Sequence, residues 1–275
     1  MSATDLPRDR DVWRIAAPMI LSNVSVPLLG MVDTGVVGHL ESSVYLGAVA
    51  IGGTIFSFLY TGVNFLRMGT TGIAAQRYGA DDNDGLRVSL GQALVVAQVI
   101  ALTVILLQWP IGQVAMKLLG ADGALREHAL EYFAIRIWSA PGTLANFVMV
   151  GWFLGLQNAR VPLVIFLTIN LTNIVLDLLF VLVLGMKVDG VALASVIAEY
   201  AGLAVAVTLA IRELRRHSGH WPMEKFVKFR EYAAFFAINA NLFVRTMALM
   251  FTIAFVTAQG ARMRPRTRYS CSCRT

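Results

Sequence analysis

The sequence predicts an all-α polytopic membrane protein, and three observations predict it. Hydrophobic residues make up 57% of the chain and charged residues only 15%, against about 25% charged in soluble domains. The apolar residues gather into seven segments, each long enough to cross about 30 Å of hydrocarbon at about 1.5 Å per residue. None of them shows the strict alternation of a strand, which argues against a β-barrel. Mean hydropathy is +0.65.

The segments run 12–38, 45–75, 88–119, 127–156, 161–185, 190–212 and 232–258. The first carries Pro18, Pro27 and one carboxylate, Asp33. An acid inside a membrane helix is costly, so its default reading is functional. Each proline removes a backbone donor and disturbs the turn before it, and Ser22, Asn23 and Ser25 are placed to satisfy the freed carbonyls. Two readings of the prolines stand, a static kink and a helix that bends with the charge on Asp33. The polar stretch Gly79–Gly85 then reads as a solvated turn between the second and third segments. It lacks the spacing and terminal Glu of a calcium loop.

The fourth segment carries Arg136 and the sixth carries Glu199. In the fifth, Asn170, Asn173 and Asp177 are spaced by three and four, which stacks them on one helical face. Thr168 and Thr172 lie close to that ladder, and the other faces are Leu, Ile, Val and Phe. A polar stripe on an apolar helix marks an interior surface. For Asn170 the simpler reading is an interhelical hydrogen bond. Asn173 with Asp177 points to function, because a carboxylate adds proton chemistry that an amide lacks. The structural and functional readings of Glu199 stand level.

Lys and Arg set the orientation. The N-terminus and the second, fourth and sixth connectors hold twelve of them, and the opposite connectors hold only Lys117, Arg126 and Lys187. This bias places the N-terminus in the cytoplasm. With that direction, Asp33, Arg136, Asp177 and Glu199 fall in one depth band. Charges placed singly in lipid are prohibitive, so the four are expected to face a common polar cavity or one another. Burial disfavours the charge on Asp33 and a nearby arginine favours it. Trp13, Trp109, Trp152 and Trp221 are expected near span ends, as an interfacial belt.

Several function classes are excluded. The net charge of +6 sits in short connectors rather than on one face, so no nucleic-acid partner is expected. No catalytic set, phosphate cradle or metal cluster occurs, so the chain reads as no enzyme and no cofactor is expected. Cys271 and Cys273 are too few and too terminal for a disulfide framework.

The residues resemble a known family. Pro18–Asn23, Val32–Thr34 with Gly38–Leu40, Phe65–Gly72, Gly151–Arg160, Asn173–Asp177, Val188–Ala192 and Ala198–Tyr200 are similar to MATE multidrug and toxin extrusion transporters, closest to the DinF branch. The resemblance covers about residues 10–262. It implies twelve helices in two six-helix lobes around a V-shaped cleft. It also implies antiport of cationic or amphipathic small molecules against H+ or Na+ across a bacterial inner membrane. Asp33 matches the family's proposed proton site, and Asn173 with Asp177 lines the same cavity. On this reading the chain is a MATE-type N-terminal six-helix lobe plus the seventh helix, with the second lobe missing.

The expected organisation is a cytoplasmic N-terminus (1–11), the six-helix lobe (12–215), an inter-lobe linker (216–231), the seventh helix (232–258) and an aberrant basic tail (259–275). The tail reads as an out-of-frame or truncated ending, since its arginines fall on the outer side and its text loses helical periodicity after Met263, with a disordered basic tail as the alternative. Two other readings are an inactive remnant or membrane interaction module and, ranked lower, a lipid-linked-oligosaccharide flippase.

Overall fold

The computed structural model describes residues 43–216, together with positions 20, 35, 38, 219, 232, 240, 244–249 and 252. Pro18, Pro27 and Asp33 lie outside the described residues, as do nearly all of the linker, most of the seventh segment and the tail.

The described lobe is helical throughout. Its helices are α1 (Ser43–Val63), α2 (Phe65–Gly79), α3 (Asn83–Leu106), α4 (Gln108–Leu119), α5 (Gly123–Arg136), α6 (Ala140–Gly155), α7 (Arg160–Asp177) and α8 (Val188–Arg216). Among the described residues there is no strand. Among the described residues, five helical stretches are long and apolar enough to cross a membrane: 43–79, 83–106, 123–155, 160–183 and 188–216. They correspond to the second to sixth segments of the sequence.

Four of these segments are not the unbroken rods that hydropathy suggests. The second breaks at Asn64, between α1 and α2. The third ends at Leu107, and α4 continues as a 12-residue helix too short to span. Hydropathy fused the two because α4 is itself apolar. Pro110 in its first turn has no backbone N–H and so cannot continue the hydrogen-bond ladder of α3. The fourth segment carries a 3-10 turn at Ile137–Ser139. Pro141 follows at the start of α6, where a missing donor is tolerated. The fifth widens into a π-turn at Leu178–Val183.

The turn between α2 and α3 is built from its acids. Asp82 caps α3 by accepting from Gly85 N at 2.8 Å, and Arg77 donates to its other oxygen at 2.7 Å. Two apolar clusters form the interior. One gathers Leu66, Leu86, Leu144, Trp152, Phe153 and Ile165. The other gathers Phe56, Met116, Tyr132, Phe133 and Val191. Tyr60 packs against both. Trp152 overturns the interfacial-belt expectation: it is fully buried, and its indole N–H donates to Leu86 O at 3.2 Å. Its place near a segment end misled the sequence reading because α6 packs on α2 and α3 at that level. Trp109 is largely exposed. Leu106, Leu118 and Val183 are exposed too, as lipid-facing side chains are. An apolar groove of about 640 Å³ between α1 and α4 belongs to the same outer surface.

Candidate cation-coupling site

The site begins with the polar stripe of α7. Asn170, Asn173 and Asp177 are 8%, 2% and 0% exposed, so the stripe faces the interior. The apolar residues between them point elsewhere: Leu167, Leu171 and Val175 are exposed. The partner surface is α8, which runs back along α7. Asn173 Nδ2 donates to Ser195 Oγ at 3.3 Å. One to two turns further along, Gly202 of α8 meets the side chain of Ile169, so closely that a Cβ would collide with it. The missing side chain lets the two helices approach and encloses the stripe.

Asp177 is the last residue of α7 before the π-turn. Leu184 N bonds to Leu179 O at 3.0 Å, so the ladder is wound one residue wider there, and Met186 N closes the turn on Phe180 O at 2.9 Å. Such turns recur at functional sites. This carboxyl is fully buried among packed helices; the expected cavity shared with Asp33 falls outside the described residues. A fully enclosed carboxylate is kept only with a balancing proton or cation. The amide and hydroxyl oxygens of Asn173 and Ser195 are the hard donors that suit a proton or a small cation.

Arg136 and Glu199 come together in a second group. Glu199 Oε2 accepts from Asn146 Nδ2 at 2.9 Å, and the same amide donates to Glu199 O at 2.9 Å. Arg136 acts electrostatically on Glu199 from beyond ion-pair distance. Its guanidinium donates to Tyr132 Oη and lies over the Phe56 ring, 5.3 Å from the centroid. Asp33 lies outside the described residues, so its place relative to these groups is not described.

The sequence reading missed Ser195, Asn146, Thr143, Ser139 and Tyr60. One signal was available for Ser195, which precedes Glu199 by four residues and so shares its helical face. Thr143 and Asn146 repeat the spacing of three seen in α7. Tyr60 and Ser139 carried no such signal, because their pairing spans 79 residues of chain.

The MatE family profile matches residues 18–179 of this chain. The chain belongs to the MatE family. Over 255 residues it is 42% identical to DNA damage-inducible protein F of Escherichia coli (strain K12), covering 93% of this chain and 56% of that protein. It is 28% identical over 172 residues to multidrug resistance protein MdtK of Klebsiella pneumoniae (strain 342), covering 62% of this chain and 37% of that one. A crystal structure of MATE in the bent conformation superposes with a TM-score of 0.79 at 21% identity, over 90% of this chain and 55% of its own. The MatE chain thus spans about half the length of these relatives, and its lobe has their fold.

Proposed function

We propose that this chain is the ion-coupling lobe of an inner-membrane antiporter that exports cationic or amphipathic compounds against H+ or Na+, with its N-terminus in the cytoplasm. The observation that carries this reading is Asp177, wholly enclosed beside Asn173 and Ser195 at a break in helix geometry. Membership of a family that includes a multidrug resistance protein supports the export role. Asp33 acts with Asp177 as the proton acceptor. Its protonation removes a charge and adds a donor, bending the first helix at Pro18 or Pro27 and expelling substrate from the cavity. A sodium ion takes the same place by gathering oxygens from Asp177, Asn173 and Ser195.

Alternating access requires two halves that rock against each other. The lobe therefore binds the ion, and export needs a second lobe. The test expresses the chain, alone and fused to the second half of a DinF-type relative, in a pump-deficient strain. Accumulation of a fluorescent cation is then followed. Export by the fusion, abolished by Asp33→Asn and by Asp177→Asn, supports the reading. Undiminished export by both variants rejects it.

A further inference from the structure

The Glu199 group is built differently from the Asp177 group, and the difference assigns it a role of its own. Glu199 sits mid-helix in α8 and is partly buried. Among the described residues its carboxylate accepts one side-chain hydrogen bond, from Asn146, and makes no ion pair. One neutral donor is a weak return for holding a charge at membrane depth. Beside it stands the Thr143 hydroxyl, 4% exposed as a residue. This hydroxyl lies next to both Glu199 and the Tyr60 hydroxyl, yet has no aligned hydrogen bond. Tyr60 Oη in turn shares a 3.0 Å hydrogen bond with Ser139 Oγ.

A charge so weakly compensated is better held as a neutral acid, and the Thr143 hydroxyl, within reach of both Glu199 and Tyr60, can accept from it. We propose that Glu199 is a second proton-binding carboxyl, separate from Asp177, served by the hydroxyl chain Thr143–Tyr60–Ser139. In its neutral form the acid O–H donates to Thr143 Oγ1, while Asn146 Nδ2 donates to the remaining carboxyl oxygen. The hydroxyls convey the proton by each releasing its own proton forward and receiving one from behind. The chain ends with its hydroxyls reversed, and the net change is that one proton delivered to Ser139 at the far end becomes one gained by Glu199.

Among the described residues the surrounding charges are few. Tyr60 faces Glu199 from α1 and Arg136 from the end of α5. The α6 neighbours, Thr143 and Asn146, do not titrate. The ionisable residues of α7 are Arg160 and Asp177 at its two ends, and Tyr200 on α8 turns its hydroxyl away to Trp138 O at 3.0 Å. Ser139 belongs to the 3-10 turn, so the hydroxyl chain leads from the acid to the irregular point of the fourth segment. The inference does not rest on the coupling role of Asp177.

The test is infrared difference spectroscopy of the intact 275-residue chain in lipid nanodiscs, titrated across neutral pH. The expected result is a protonated-carboxyl stretch that persists at neutral pH and shifts when glutamate, but not aspartate, is labelled with carbon-13. Glu199→Gln removes that band, and Asp177→Asn leaves it. Thr143→Val slows deuterium exchange of the band by breaking the hydroxyl chain, and Thr143→Ser restores it. Tyr60→Phe slows deuterium exchange of the band while leaving its midpoint near the wild-type value. Absence of a glutamate-labelled band in the unmutated protein shows Glu199 ionised and overturns the proposal, whether or not the variants fold. A band that survives Glu199→Gln overturns it equally.

Discussion

Two helix pairings dominate the lobe, α2 with α6 and α7 with α8, and both achieve close approach through glycine. They use the closeness for different ends. At the α2–α6 seam a Cβ on Gly151 would strike the carbonyl of Arg67, a backbone atom with nowhere to go. The residues that surround this seam, Leu66, Ala74, Val148 and Trp152, are apolar and fully buried. At the α7–α8 seam Gly202 admits Ile169, and the enclosed surface beyond it carries Asn170, Asn173, Asp177 and Ser195. Lipid tails are as apolar as leucine, so packing drives helix association in membranes. The first seam is packing alone. The second gives up apolar contact to hold a carboxyl, which packing does not require.

The comparison breaks most sharply at Gly151. Gly151→Val forces two backbones apart, and overpacking of this kind costs about 3 kcal/mol, the upper end of its usual range. Thermal unfolding of the detergent-solubilised chain should register the largest loss of any single change discussed here. Any response of the remaining folded protein to Na+ or pH should be unaltered. A variant with wild-type stability would show that the α2–α6 seam is looser than drawn.

Asp177→Asn should do the reverse. The amide has nearly the same shape, so the seam survives while ion binding is lost. An ion held at about one hundred times its dissociation constant stabilises a folded protein by about 2.7 kcal/mol. That increment is expected in unfolding curves of the wild type, with Na+ or with acid, and absent from Asp177→Asn. Equal responses in the two proteins would make Asp177 a structural residue like its counterparts in the other seam.

The fold was largely legible in the sequence because hydrophobic length is a one-dimensional property. Five of the expected segments are long apolar helical stretches in the structure. The breaks were less legible. Leu107 and Asn64 interrupt apolar runs without altering their composition, and only the excess length of 88–119 over a bilayer crossing hinted at the first. The α7 stripe was visible because its three members share one helix and one period. Tyr60 and Ser139 were invisible because their meeting is a tertiary event, joining α1 to the middle of the fourth segment. Trp152 was misplaced for the same reason.

Asp82 serves as a reference outside both seams. Its side chain caps α3 and receives Arg77 at the exposed turn. Asp82→Ala should cost about 1 kcal/mol through the lost cap. Asp82→Asn retains the cap and loses only an exposed ion pair, worth about 0–1 kcal/mol. Unfolding midpoints of the two variants should differ in that order, with no change in ion response. A cap loss larger than the Gly151→Val loss would contradict the ranking of seams above turns.

Ser195→Ala has the smallest expected effect on stability and sharpens the comparison most. The 3.3 Å bond from Asn173 is long, and interhelical hydrogen bonds in membranes average about 0.6 kcal/mol. If the α7–α8 seam were glue, this small loss would be the whole effect, and ion-dependent stabilisation would match the wild type. If the seam is an ion site, the two candidate ions part company. A proton needs one acceptor, Asp177, and its binding should survive the loss of a hydroxyl. Sodium needs several oxygens, so removing Ser195 Oγ should weaken its stabilisation far more than 0.6 kcal/mol of packing explains. Measuring unfolding of Ser195→Ala against Na+ at fixed pH, and against pH without Na+, therefore separates glue from ligand and proton from sodium in one variant.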